Sequence, residues 1–395
     1  MLPPPSAPAR RPGRRLAAHP AGLAALLLAL PGCRTDRVPP VIRIGLVTYT
    51  PTDLNGPPTT HAVEMALEEA NARGGLLVGG VRSRVEVRRV VIKEDSPEQA
   101  VAAVQRLINQ EKVCAILGPQ LSDEAIPAGG VAERSGIPLI SPISSHSGTT
   151  QDRAYVFRAC FRDADQGRVL AELARGVLRA RTAALLVQVN VAYSRTVAEV
   201  FRREFTALGG RIAADASFTD AGKGLGPQLA AIRRAAPDVL LLPNFQNATL
   251  EAGRAARRAG VRSAFLGTDA WSRSRLGGVA EFEGAYMVTN WSPDLASAEN
   301  ARFMAEYARR FAAEPSETAA LTYDAARFLF AAIGASGDGT PAAIRTAMAG
   351  PLAFEGVCGP LRYSGGGDPR KAVVVLRFRA GRAEFDRVIP SQGSP

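Results

Sequence analysis

Short apolar runs alternate along this chain with longer amphipathic stretches, and most joints carry a glycine, a proline or a capping residue. Val41-Ile42-Arg43-Ile44-Gly45-Leu46-Val47 reads as a strand. Residues 64–73 read as a helix stopped by Gly74-Gly75, the usual residue type past a helix end. A strand at 85–92 follows. Ser96-Pro97-Glu98 then opens a helix with a capping serine and a first-turn proline, and its Val101, Val104, Leu107 and Ile108 recur at helical spacing. The buried run 113–117, a helix reaching Arg134 and a strand at 136–140 complete the first set. The order then returns. It comprises a strand at 183–189, a helix from Arg195 stopped by Gly209-Gly210, a strand at 211–218, a helix at 225–235, an apolar run at 239–242, a helix to Arg258 and a strand at 264–266.

Strands alternating with helices of this length imply parallel sheets covered on both faces, an α/β chain of two Rossmann-like lobes. Ligands of such sheets bind outside the carboxyl ends of the strands. Residues 297–349 are helix-rich, and 372–378 and 382–388 read as strands, so the chain crosses between lobes more than once and forms a multi-strand hinge. The expected division is a first lobe of 41–158 with 289–350, and a second of 159–288 with 351–395.

Composition narrows the class. The chain has 395 residues, 46% hydrophobic and 22% charged, which excludes a disordered chain. The formal charge is +11, carried almost wholly by arginines spread along the sequence. Clusters interleaved with aromatics are lacking, so no nucleic-acid partner is expected. The N-terminus reads as a sorting signal. A basic, proline-rich stretch containing Arg10-Arg11 and Arg14-Arg15 precedes the ten apolar residues 21–30, too few to span a bilayer, and then Pro31-Gly32-Cys33. Residues 1–32 are read as a lipoprotein signal, Cys33 as the acylated residue, and 33–40 as a tether, giving a membrane-anchored protein of the periplasm or cell surface. Three cysteines remain. Cys114 is a buried small residue, and Cys160 and Cys358 pair or stay free.

Catalytic motifs are absent. His61 and His146 stand alone, and no Gly-x-Ser-x-Gly, phosphate loop or His-Glu-x-x-His occurs, so neither an enzyme nor a metal or cofactor site is expected. Gly222-Lys223-Gly224 and Gly365-Gly366-Gly367 read as turns. Ser122-Asp123-Glu124 follows a buried run and opens a helix. Ser122 is either its cap or part of a carboxylate site on free N–H groups, while Asp123 and Glu124 complement the helix dipole. Asp269 follows an apolar strand end and is either a cap ahead of Trp271-Ser272 or an acid in want of a cation. Trp271 and Trp291 read as core.

Ile44-Gly45 with Asn55-Gly56-Pro57, the run 66–75 (ALEEANARGG), the run 100–119 (AVAAVQRLINQEKVCAILGP), Ile137-Pro138-Leu139-Ile140-Ser141-Pro142, Phe157-Arg158 with Asp165-Gln166-Gly167, and Gly267-Thr268-Asp269 occur in one order over nearly the whole chain after Cys33. Together they resemble the type I periplasmic solute-binding proteins, above all the leucine/isoleucine/valine-binding branch. The stretch from Pro57 to Met65 is shorter than is usual there. The resemblance implies a monomeric receptor that delivers an amino acid or small amide to the permease of an ABC importer. It implies that Ser122, Ile143 and Ser145 hold the ligand carboxylate, that Tyr193 and Asp269 hold the ammonium, and that Phe245 is an aromatic contact. The alternative is a sensory module using the same fold for an amide, urea or aromatic acid.

Overall fold

A computed structural model describes residues 40–220 and 224–390. The first lobe begins with β1 (Val41–Tyr49), α1 (Gly56–Ala72), β2 (Leu76–Val78), β3 (Val81–Ile92) and α2 (Pro97–Asn109). It continues through β4 (Ala115–Leu117), α3 (Ser122–Ser135), β5 (Leu139–Ser141) and β6 (Val156–Arg158). The second lobe holds α4 (Asp163–Glu172), β7 (Thr182–Gln188), α5 (Ala192–Ala207), β8 (Arg211–Phe218), α6 (Gly226–Ala235) and β9 (Val239–Leu241). α7 (Gln246–Arg258), β10 (Ala264–Gly267), α8 (Arg273–Leu276) and β11 (Tyr286–Thr289) follow. The chain returns for α9 (Ala298–Phe311), α10 (Glu317–Ala335), α11 (Pro341–Ala349), β12 (Phe354–Gly356) and β13 (Gly359–Leu361), then crosses again to β14 (Val373–Arg379) and β15 (Arg382–Ile389).

Each lobe is built on one sheet. The first has the order β2-β3-β1-β4-β5-β6, parallel except for β2. The second has the order β15-β14-β11-β10-β9-β7-β8, parallel from β11 to β8, with β14 and β15 antiparallel at one side. The strands of the parallel part are apolar on both faces because helices cover both. Ile44, Leu46 and Val47 of β1 are fully buried, as are Leu185, Leu240 and Leu241. Each such side chain stabilises the fold by about 1.5–3 kcal/mol through removal from water.

The helix α1 starts at Gly56, eight residues before the predicted start, because Pro57 and Pro58 fit a first turn, where no N–H bond is lost. A larger correction concerns residues 351–363, assigned above to the second lobe. Phe354, Val357, Cys358, Leu361 and Tyr363 lie in the first-lobe core. The ring of Phe328 on α10 meets Phe354 at 5.7 Å and Tyr363 at 4.9 Å. The Asp324 carboxylate, also on α10, accepts the Val357 and Cys358 N–H groups, each at 2.8 Å. Cys358 and Cys160 are both buried and free, so they do not pair.

Three crossings join the lobes, after Cys160, after Thr289 and through 364–372. They are tied to one another. Asn290 accepts the Phe161 N–H at 3.1 Å. Gly367 accepts the Arg158 N–H at 3.0 Å, and a Cβ on Gly367 would lie 1.9 Å from the Val156 carbonyl oxygen, so only glycine fits this approach. Arg158 is fully buried. It bonds Asp368 at 2.8 Å, the Ser144 carbonyl at 2.8 Å and the His146 carbonyl at 2.9 Å. One guanidinium thus links the third crossing to the loop after β5.

Candidate functional site

Every candidate residue lies just past the carboxyl end of a parallel strand. In the first lobe, β4 leads through Pro119 and Gln120 into α3. The Tyr49 hydroxyl accepts the Gln120 and Leu121 N–H groups at 3.0 and 3.2 Å and donates to Glu124 at 2.5 Å. Glu124 also accepts the Ser96 N–H at 3.2 Å and is wholly buried, which raises its pKa. The dipole role expected for Glu124 is therefore too modest: it clamps the start of α3 onto β1. Asp123 is exposed.

The N-cap of α3 is Leu121, which offers no side-chain oxygen. Ser122 is the first helical residue, not the cap. The helix start is left open to an anion, with the Ser122 hydroxyl beside it. Ser144 donates to Ser122 at 3.0 Å and shares a 2.6 Å contact with Thr149. Ile143 turns its side chain to the first-lobe core. Ser145 is buried, and its carbonyl accepts the Asp163 N–H at 3.1 Å.

In the second lobe, Tyr193 opens α5 and donates to Asp269 at 2.6 Å. Its ring stacks on Phe245, centroids 5.2 Å apart and planes 22° apart. Phe245 is itself 52% exposed, an aromatic face turned out of the core. Asp269 does not cap the next helix, since Ser272 does so by accepting the Arg275 N–H. Trp271 and Trp291 are buried and bonded to Leu242 and Asn300.

The first turn of α4 joins the two sets. Asp163 binds the Ser145 carbonyl through its N–H, and Gln166, one turn on, accepts the Asp269 N–H at 3.2 Å. This turn was not singled out by sequence reasoning as a site, although an Asp-x-x-Gln pair at a strand-to-helix crossing puts both side chains on one helix face. Its polar groups are underused. Both Asp163 carboxyl oxygens, the Gln166 amide nitrogen, the Thr268 hydroxyl and the Ser194 hydroxyl are buried without a well-formed hydrogen bond, with Asp163, Thr268 and Gln166 having only loose approaches to Ser145, Tyr193 and Asp269 respectively. Buried polar groups are normally satisfied, so such a cluster beside Tyr193 and Asp269 marks a place where a ligand or water belongs.

The electrostatics agree. Burial raises the pKa of Asp269, and the nearby charges of Glu317 and Asp163 raise it further. Burial likewise raises Asp163 and Glu317, the latter accepting the Asn290 N–H and side-chain amide at 2.6 and 2.9 Å. Three acids thus crowd the hinge side of the site, with Lys371 beside Glu317 and Arg158 beside Asp163 as partial offsets. Among the described residues, no group of three or more acidic, histidine or cysteine side chains is placed to hold a metal ion, and no helix is long and apolar enough to cross a membrane. A hollow of about 410 Å³, lined by Val41, Arg43, Val81 and Lys112 among others, lies at the opposite edge of the first sheet and contains none of the candidate residues.

Two lobes on parallel sheets, a triple crossing and polar groups converging at the strand ends define a solute-binding protein of the type I fold. The chain belongs to the periplasmic binding protein family, whose model matches residues 41–382. It is 27% identical to an amino acid binding protein of Pseudomonas aeruginosa over 71% of this chain and 75% of that one. Among solved structures it resembles a leucine binding protein, LivK, of Thermotoga maritima, with a TM-score of 0.78 and 26% identity, covering 88% of this chain and 99% of that one. A solute binding protein of R. palustris in complex with benzoate shares the fold, with a TM-score of 0.74 and 21% identity, covering 90% of this chain and 98% of the other. Proteins of this family bind solutes outside the cytoplasm; they are not enzymes. Cys33, the residues of the signal and most of the tether lie outside the described residues.

Proposed function

We propose that this chain captures an amino acid by closing its lobes and delivers it to the permease of an ABC importer, held at the membrane by a lipid on Cys33. The observation that carries the amino-acid reading is the acid-rich, partly unsatisfied cluster of Asp163, Gln166, Thr268 and Asp269. A buried carboxyl with like charges around it needs a cation, and a ligand ammonium supplies one. The ligand carboxylate meets the open start of α3, Ser122 and the backbone at Ile143 and Ser145. Tyr193 orients Asp269, and Phe245 covers the side chain. Bridging both ends favours the closed state, because only there are both satisfied.

A second reading is an aromatic acid. The stacked Tyr193–Phe245 pair favours it, and a relative of the same fold was solved with benzoate. An aromatic acid lacks the ammonium that the acids call for, so it ranks second.

A thermal-shift panel of the common amino acids, their amides and benzoate separates the readings. At a hundred times its dissociation constant the true ligand raises stability by about 2.7 kcal/mol. A shift with an amino acid and none with benzoate is the expected result; the reverse ends the amino-acid reading. Mass spectrometry of the mature N-terminus tests the anchor, with a diacylglyceryl group on Cys33 expected.

A further inference from the structure

The second sheet ends, at the edge remote from the candidate site, in a row of arginines that the binding function does not use. Because β7 to β11 are parallel, the residues just before each strand share that edge. Arg211 stands at the start of β8, and Arg179 and Arg181 precede β7. Arg233 and Arg234 end α6 ahead of β9, and Arg258 and Arg262 lead into β10. The antiparallel pair brings Arg379 and Arg382 to the same edge at its turn. All nine are exposed.

Seven strands at about 4.8 Å spacing make this edge roughly 29 Å wide, and arginines occur from β15 at one side to β8 at the other. None of the nine takes part in an ion pair among the described residues, although arginines elsewhere on the chain do, as Arg202 with Asp215 and Arg310 with Glu68 show. Two acids of this edge are engaged with the backbone, while Glu204 pairs with Arg203 and Glu281 lies near Arg257, neither of which is among the nine. Asp238 accepts the Arg181 and Thr182 N–H groups, each at 2.8 Å, and Glu283 accepts the Ala380 N–H at 3.1 Å. The corresponding edge of the first lobe is mixed, with Arg73, Arg84, Lys112 and Arg134 interspersed with Glu111, Glu133, Asp152 and Asp338.

We infer that this edge of the second lobe is a docking face for a bilayer surface bearing anionic phosphodiester headgroups. The guanidinium group is weakly hydrated and binds phosphate through two parallel donors. A broad, level row of such groups matches a plane of phosphates. One exposed ring, Phe385 on β15, lies near the row, short of the series of aromatic faces on which single-stranded nucleic acid stacks its bases. The face points away from the candidate site, so docking leaves ligand access open.

The test is vesicle co-sedimentation of the mature chain from residue 33 carrying Cys33→Ala, so that neither acylation nor the basic, apolar signal contributes. Vesicles of phosphatidylcholine alone are compared with vesicles containing phosphatidylglycerol at 30 mole per cent. Anionic vesicles are expected to retain the protein at low salt and lose it at about 0.5 M salt, where the screening length is only a few ångström. Replacing Arg233, Arg234, Arg258 and Arg262 together by Glu is expected to weaken anionic-vesicle binding at least tenfold, with the ligand-induced thermal shift retained. Replacing Arg73, Arg84, Lys112 and Arg134 by Glu makes the same charge change on the first lobe and is expected to weaken it less than threefold. Equal losses in the two variants would show that net charge alone acts, and would overturn the assignment. Equal binding to neutral vesicles, or tighter binding to a DNA oligomer than to anionic vesicles, would overturn it too.

Discussion

The two lobes repeat one architecture yet meet the candidate site with opposite chemistry. The first offers hydroxyls and an uncapped helix start: Ser122, Ser144 and the N–H groups of α3. None of these titrates, and their partial charge is positive. The second offers the Tyr193 hydroxyl, the exposed ring of Phe245 and Asp269, an acid whose raised pKa lets it hold a proton until a cation arrives. Duplicated folding therefore does not duplicate the site. On the proposed reading the opposition orients a zwitterion, carboxylate to the first lobe and ammonium to the second, and each lobe alone satisfies only half of it.

Breaking the second-lobe side costs most. Asp269→Asn keeps the shape and the Tyr193 contact but removes the charge. On the proposed reading it lowers affinity by about 2–5 kcal/mol, some 30-fold or more, because the ammonium loses its counter-charge. Calorimetry with the panel's best ligand measures it, and an unchanged affinity would move the ammonium elsewhere.

The pH profile sharpens the comparison next. Burial and neighbouring acids hold the Asp269 pKa above the ordinary carboxylate range. Between the ordinary and the raised value, the folded unliganded protein holds a proton that the unfolded chain has released. Stability of the unliganded protein thus falls as pH rises through that window. An ammonium needs the carboxylate, so binding expels the proton, and affinity rises with pH by at most about tenfold per unit before levelling. Proton release measured in buffers of different ionisation enthalpy checks this, and Asp269→Asn should flatten the slope. Asp163 and Glu317, raised in the same direction, contribute to any slope that remains.

The smallest effect belongs to the first lobe. Ser122→Ala removes one hydroxyl donor to a charged group while leaving the helix start in place, and costs about 1.5 kcal/mol, roughly tenfold in affinity with little pH dependence. A loss as large as that of Asp269→Asn would mean that the hydroxyl, not the backbone, carries the carboxylate.

How much of this was legible in the chain follows from the range of each interaction. The alternation of strands and helices, the glycine stops and the arrangement into two like halves all rest on neighbours a few residues apart, and they read directly from periodicity. The local pattern left Ser122 and Asp269 open between a helix cap and a binding role, and the family resemblance is what pointed to Ser122, Tyr193 and Asp269 as candidates. Asp163 and Gln166 were not among them, because nothing local distinguishes an unsatisfied carboxyl from an ordinary first-turn acid. Glu124 does sit in the first turn, but its bond to Tyr49 could not be read for the same reason: that partner lies 75 residues away.

By itself, then, the sequence determined the element types, the layered α/β class and the family. Tertiary structure alone decided that 351–363 belongs to the first lobe, that Arg158 reaches Asp368 across 210 residues, that Cys160 and Cys358 stay apart, and that arginines scattered over two hundred positions form one row. Secondary structure is dictated by short-range sterics and hydrogen bonding, whereas burial, unmet polar groups and charge arrays exist only once distant segments share space.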